Sequence, residues 1–383
     1  MADPSPSAKD IPPLFEPFSL RSVTFRNRIV LAPMCQYASE DGAVADWHIS
    51  HHARFSLGGL GGALVESTGV TRDGRITHGC LGIYREDHRE LLSRIVDLYH
   101  AVDVPVGIQL SHSGRKGSST TPAEGGQPLA TAAPDSAWQT IAPSPIPLRE
   151  GWPAPREMDQ TMIEGIIEAF QEAADRAVRS GFDFIEIHGA HGYLLHSFVS
   201  PKSNQRTDEW GGDVNGRGAL PVAVAEAVRD VVPTEMPVFY RASAVDGLED
   251  GLTLADTIVL AKKLKAAGVD LMHVSSGGIT GASGKSFEDP YAGYLVPFAA
   301  EIRAEADMPT MAVGLIFEPE TANAVIRDGQ ADMVACGRQM IADPAFPYSA
   351  AIRLGHPDPS SILPSSYGMV LRNWPGATGR AGR

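Results

Sequence analysis

Short apolar runs rich in β-branched residues alternate with amphipathic stretches along most of this chain. Eight such runs lie at 28–34, 62–70, 105–112, 182–188, 237–244, 270–275, 309–314 and 332–337. Each is nearly continuous in apolar character, the pattern of a parallel strand buried on both faces. The segments between them predict helices. The clearest is 159–179, where Met162, Ile163, Ile166, Ile167, Phe170, Ala174, Ala177 and Val178 share one stripe at helical spacing. Gly181 then stands where a helix stops, just ahead of the next run. Stretches 87–101 and 253–267 repeat the arrangement, with Gly268 closing the second.

Eight strand–helix pairs without a second block of different composition predict an α/β protein, a single (β/α)8 TIM barrel with long loops on its C-terminal face. A doubly wound open sheet is the rival, and it wants a glycine-rich phosphate turn after its first strand. That position reads Ala32-Pro33-Met34-Cys35-Gln36-Tyr37 instead. The run Gly58-Gly59-Leu60-Gly61-Gly62 precedes a strand, so it reads as a helix stop and turn. The expected organisation is a disordered tail over 1–13, a barrel over 14–360 and a C-terminal tail over 361–383 that contacts a neighbouring subunit. Two irregular segments, 113–155 and 277–290, leave the C-terminal ends of the third and sixth strands and are the candidate lids.

Composition narrows the function classes. With 43% hydrophobic and 20% charged residues among 383, the chain resembles an ordinary globular protein. A net charge of −14 with no basic run argues against nucleic acid. No stretch approaches the ~18 uninterrupted apolar residues of a membrane span. Pro, Ser and Ala dominate the first 13 residues, which lack the apolar core of a signal peptide. The three cysteines, Cys35, Cys80 and Cys336, form no C-x-x-C pair. That disfavours structural zinc, iron–sulfur clusters and a secreted disulfide scaffold, and points to a reducing cytoplasm.

Unusual polar residues gather at the C-terminal ends of the predicted strands, where a barrel places its chemistry. The first strand runs into Cys35 and Tyr37; the third holds Gln109 and His112. The fourth leads into His188-Gly189-Ala190-His191-Gly192-Tyr193. Two imidazoles three apart suit zinc with His112 as a third ligand, a donor pair for a carbonyl oxygen, or plain packing. Arg241, in an apolar strand, points into the barrel, where it either pairs with Glu66 or Glu186 or waits for a bound anion. Gly314 and Gly337-Arg338 end the last two strands, where many barrels cradle a phosphate. His48, His51 and His52 open a helix and read as packing and loop-orienting residues.

These residues together resemble the old yellow enzyme family of FMN-dependent ene-reductases, and most closely its thermophilic-like bacterial class. The resemblance is carried by 26–37, by Gln109-Leu110-Ser111-His112-Ser113-Gly114-Arg115-Lys116, by His188 to Leu194, by 198–212 and by Gly337-Arg338. The pairing of Cys35 with Tyr37 points to the class. Nearly the whole chain is covered, from Leu14 to about Arg372.

The resemblance implies a tightly bound, non-covalent FMN, with NADPH or NADH as hydride donor. It implies that Ala32, Pro33, Met34 and Cys35 line the isoalloxazine, with Cys35 tuning its potential. Ser67, where the family commonly has Ala, adds a hydroxyl beside the flavin. Gln109 bonds the pyrimidine ring, Arg241 faces N1 and O2, and Gly314, Gly337 and Arg338 hold the phosphate. His188, His191 and Tyr37 bind the substrate carbonyl, and Tyr193 protonates the α-carbon. The implied reaction is a two-step ping-pong hydride transfer through flavin N5 to α,β-unsaturated ketones, aldehydes or maleimides. A homo-dimer or homo-tetramer is also implied, with Arg372 or Trp374 as the residue that would reach a neighbouring site. Two other readings compete: a flavin-binding barrel without turnover, and a metal-dependent barrel aldolase or isomerase.

Overall fold

A computed structural model describes residues 11–281 and 290–374. Eight parallel strands close into a barrel: β1 (Ile29–Leu31), β2 (Gly62–Gly69), β3 (Val106–Ser111), β4 (Phe184–Gly189), β5 (Val238–Ser243), β6 (Leu271–Ser275), β7 (Thr310–Ala312) and β8 (Met333–Cys336). They follow one another in chain order around the ring, and β8 pairs back onto β1 through Val334↔Ile29 and Cys336↔Leu31. One main helix follows each strand: α1 (Asp46–Ser56), α2 (Glu86–His100), α3 (Gln160–Arg179), α4 (Ala219–Val231), α5 (Leu254–Ala266), α6 (Val296–Ala306), α7 (Pro319–Arg327) and α8 (Phe346–Arg353).

Every predicted strand falls on one of these ladders, although β1 is short. Pro33 has no N–H to donate, so main-chain pairing ends with the Ala32 amide on the Cys336 carbonyl at 3.0 Å, and residues 32–34 line a cavity. Asp159 caps α3 by accepting from the Met162 amide at 2.9 Å. The stripe on α3 buries Ile163, Ile166, Phe170, Ala174 and Ala177 as read from the sequence, and Ala173 with them. Met162, Ile167 and Val178 lie at its half-buried margins. Gly181 and Gly268 adopt φ of 91° and 92°, the left-handed stops the sequence suggested.

Two apolar layers hold the barrel. The outer one lies between strands and helices. The inner one fills the ring with Val30, Leu64, Phe184, Phe239, Leu271, Met311 and Met333. A two-stranded hairpin, Phe18–Leu20 with Val23–Phe25, lies against this inner layer. Phe25 stacks edge-on to Phe184 at 5.5 Å, and Phe184 meets Phe239 at 4.8 Å. Each such fully buried ring contributes on the order of 1.5–3 kcal/mol. A side chain at Gly107 would sit 2.5 Å from the Phe184 ring, so β3 is bare there to admit it.

The predicted N-terminal tail is described only from Ile11. Leu14, in a 3-10 turn over Pro13–Phe15, is fully buried. Residues 1–10, 282–289 and 375–383 lie outside the described residues, and with them parts of both predicted tails and of the second lid segment. The first lid segment is less irregular than its composition suggests. It contains 3-10 turns at Gly114–Lys116 and Pro122–Glu124, a helix at Leu129–Ala132, and a strand Ile141–Ala142 paired with Arg156–Glu157. No described helix is long and apolar enough to cross a membrane.

Candidate active site

Above the aromatic layer the barrel interior turns polar. Gln109 on β3, Glu186 on β4, Arg241 on β5 and His273 on β6 are all buried. The Gln109 amide donates to Glu186 Oε1 at 2.6 Å, and His273 Nδ1 meets Glu186 Oε2 at 2.7 Å. Burial opposes the Glu186 charge, but His273, Arg241 and Gln109 together hold its carboxyl below the usual range. Because Glu186 takes the Gln109 N–H, the Gln109 carbonyl oxygen remains as an acceptor.

The salt bridge considered for Arg241 does not form. Among the described residues neither Glu66 nor Glu186 comes within ion-pair distance of it. Glu186 is committed to His273, while Glu66 accepts from the Gln36 amide at 3.0 Å. Arg241 Nε is buried without a hydrogen-bond partner. An unpartnered guanidinium in the floor of a cavity is a preformed site for a negative or strongly polar group.

That cavity has a volume of about 490 Å3. It is lined by Ala32, Pro33 and Met34 from the first strand's exit, by Arg241, and by Gly314, Gly337 and Arg338 from the last two units. Gly314 adopts φ of 116°, a conformation that only glycine takes without strain. Arg338 has no carboxylate within ion-pair distance among the described residues. Glycine backbone and a guanidinium without a carboxylate partner are the kind of donors from which anion sites are built.

Beside the cavity stand His188 and His191, their rings 5.1 Å apart and nearly perpendicular. His188 Nδ1 accepts from the Ala190 amide at 3.2 Å, so the neutral ring carries its proton on Nε2. Burial, then the charge of Arg241, pushes both imidazoles well below their ordinary pKa. Both are neutral at neutral pH, and each then carries a single N–H donor. The Tyr193 ring lies edge-on to His188 at 4.9 Å. Burial, then Cys35 and Tyr37, raises its phenol well above the usual value, which keeps the proton on. Cys35 is likewise held as a thiol, chiefly by burial. Tyr37 sits at φ 54°, and burial, then Cys35, raises its phenol well above the usual value. Ser67 lies on β2, buried.

The side chains read as flavin or carbonyl contacts thus come to one end of the barrel, whereas Arg372 pairs with Asp358 at 3.5 Å and lies with Arg26 and Asp103 around a separate hollow. Several others at that end of the barrel were not foreseen. Ser275 lines the cavity and shares a 2.7 Å hydrogen bond with His191 Nε2, joining cavity to histidine pair. Ser243 accepts from the His191 amide at 3.0 Å and donates to the Gly277 carbonyl at 2.9 Å. His196 accepts from the Gly192 amide at 2.8 Å and faces Asp246 at 3.1 Å. Serines at strand ends carry no periodic signal, though the repeated Ser at the end of β5 and β6 was available to notice.

His112 Nδ1 accepts from the Gly114 amide, and no three His, Cys, Asp or Glu side chains cluster as a metal site among the described residues. The earlier trio packs as expected from its place on α1. His48 Nδ1 accepts from the Ala45 amide, His52 bonds the Tyr99 hydroxyl at 2.9 Å, and His51 lies edge-on to Phe55.

Residues 13–355 match the family model described as NADH:flavin oxidoreductase / NADH oxidase. The NADPH dehydrogenase of Geobacillus thermodenitrificans (strain NG80-2) is 44% identical over 344 residues, covering 89% of this chain and 94% of that protein. The solved structure of morphinone reductase superposes with a TM-score of 0.74 at 26% identity, covering 93% of this chain and 94% of the other. A 2-naphthoyl-CoA reductase shares the fold at a TM-score of 0.80 and 24% identity over 91% of this chain. This chain matches about half, 53%, of that longer one.

Proposed function

Because the chain belongs to the NADH:flavin oxidoreductase / NADH oxidase family, that of old yellow enzyme, and is thus an FMN-dependent NAD(P)H oxidoreductase, we propose that it reduces activated C=C bonds. The observation that carries this reading is the neutral His188–His191 pair set beside an anion-ready cavity floored by Arg241.

The residues present fit FMN. Arg241, buried and unpartnered at Nε, offers a fixed positive charge to a polar ring edge. The Gln109 carbonyl oxygen, its amide N–H spent on Glu186, would offer an acceptor. Ala32, Pro33, Met34 and Cys35 would flank the ring, with Ser67 behind them. Gly314, Gly337 and Arg338 would hold the phosphate. When bound, FMN supplies the hydride chemistry.

The chain's own residues supply polarisation and a proton. An alkene accepts hydride only when conjugation to an electron-withdrawing group makes it electrophilic. The imidazoles of His188 and His191 would donate to the carbonyl oxygen, with Tyr37 at the same oxygen, and stabilise the charge that develops there. Neutral donors in a dry site do this without reorganising. Tyr193, protonated throughout the neutral range, would place its phenol proton at the α-carbon. NADPH is the donor this reading favours, after the named activity of the Geobacillus relative. Substrate and nicotinamide would take turns at one site, which predicts ping-pong kinetics.

The same reading includes a cytoplasmic setting and a homo-oligomer. Three free thiols and the exposed Met369, Val370 and Trp374 near the described C-terminus support it.

An anaerobic absorbance titration tests the function. NADPH should bleach the yellow protein, and 2-cyclohexenone or a maleimide should restore it. Bleaching without recovery would leave a flavin module or a different acceptor, and the alkene reading would be abandoned.

A further inference from the structure

One half-buried lysine at the site has no part in this chemistry. Lys116 ends the 3-10 turn Gly114–Lys116, just past β3. Its Nζ donates to the carbonyls of His191 at 2.7 Å, Gly281 at 2.9 Å and Gly278 at 3.1 Å. An ammonium has three N–H donors, and all three are spent on main-chain oxygens. The face of the Tyr193 ring, 5.1 Å from Nζ, covers it further. No proton is left to offer a substrate.

The three acceptors come from two loops, one after β4 and one after β6. Those loops meet backbone to backbone. A Cβ on Gly192 would lie 2.2 Å from the Gly278 oxygen, and one on Gly278 would lie 2.6 Å from His191 Cα. His191 itself sits at φ 62°, where residues with a Cβ are uncommon. Its N–H side is held by Ser243 and its C=O side by Lys116. Three carbonyl oxygens converging on one point repel each other unless a cation lies between them.

We propose that Lys116 is a positioning residue whose ammonium clamps the loops after β4 and β6 together and so sets the aim of His191. This rests on the reading of His191 as a carbonyl ligand. Burial and the nearby Arg115 and Arg149 draw the Lys116 pKa down to about 7, while its three carbonyl partners favour the charged form.

The test compares Lys116→Met, Lys116→Ala and His191→Ala as FMN-loaded proteins. Reoxidation of the reduced enzyme by 2-cyclohexenone is followed by anaerobic stopped-flow. Lys116→Met should bind FMN normally yet reoxidise roughly 10- to 100-fold more slowly, the loss of a charge-assisted hydrogen bond at the clamp. In Lys116→Ala, added ethylammonium should recover at least about fivefold, whereas 1-propanol of similar size should not. Such rescue distinguishes the positive charge from mere filling of space. Reoxidation by Lys116→Met within about threefold of the native rate, or equal rescue by the alcohol, would overturn the clamp. If Lys116→Met does not fold, the amine-against-alcohol comparison on Lys116→Ala decides alone. A slow His191→Ala beside a normal Lys116→Met would sink the clamp and leave the carbonyl reading standing; a normal His191→Ala would remove that reading itself.

Discussion

Replacing Tyr193 by Phe removes one hydroxyl and leaves a ring that packs edge-on to His188 at 4.9 Å and beneath the Lys116 ammonium at 5.1 Å. Those ring contacts remain, so the melting temperature should move by no more than a few degrees. What disappears is the buried phenol proton. The pKa of that phenol lies well above its ordinary value, first through burial and then through Cys35 and Tyr37. It therefore stays protonated in assays anywhere from about pH 6 to 9. Its acidity is low, which places the benefit toward the lower part of the ~10²–10⁴ range of general acids. We expect reoxidation by 2-cyclohexenone to slow roughly 10²- to 10³-fold, with reduction by NADPH unchanged within a factor of about three. Anaerobic stopped-flow separates the two half-reactions by mixing oxidised enzyme with NADPH, then reduced enzyme with the enone. The slowing should be the same at every pH in that window, since the native phenol does not titrate there. An unaltered reoxidation rate, or a loss confined to reduction, would refute the proton-donor role.

His188→Ala and His191→Ala should each keep FMN and lose roughly 10²- to 10³-fold in enone turnover, as donors removed from oxyanion sites do; steady-state rates with FMN content measured in parallel check this. Arg241→Met should weaken FMN retention. It should also lower the two-electron midpoint potential by roughly 30–60 mV, the equivalent of a charged hydrogen bond of about 1.5–3 kcal/mol lost from the reduced form. A spectroelectrochemical titration that finds no fall would contradict the placement of that charge. Glu66 is buried, and its pKa is raised to about 8 by desolvation, with the Gln36 amide opposing. A raised carboxyl favours the folded state below its unfolded pKa near 4.5 and loses that contribution as pH climbs to about 8. Glu66→Gln should therefore melt higher than the native chain at pH 8.5, and the gap should close below about pH 5; denaturation curves at the two pH values read it directly.

The candidate site was legible where it depends on residue type at a strand end. Pro33, Gln109, His188, Arg241 and Gly337 stand out because an apolar parallel strand has no local use for a proline, a charge or an imidazole. Their convergence then follows from closure of the barrel. The reading of Arg241 as half of a salt bridge with Glu66 or Glu186 failed because pairing depends on distance across the ring. Only the register of β4, β5 and β6 shows that Glu186 is taken by His273.

Periodicity alone therefore determined the alternation of strands and helices, and with it the (β/α)8 ring. Buried parallel strands need apolar side chains on both faces, and that demand is written residue by residue. What only the tertiary structure decided is how the loops meet. The grip of Lys116 on three carbonyls, the bond from Ser275 to His191 and the seat of His191 against Gly278 join segments about 75 to 165 residues apart. No local pattern encodes such contacts, because a backbone carbonyl looks the same in every sequence until the fold brings a partner to it.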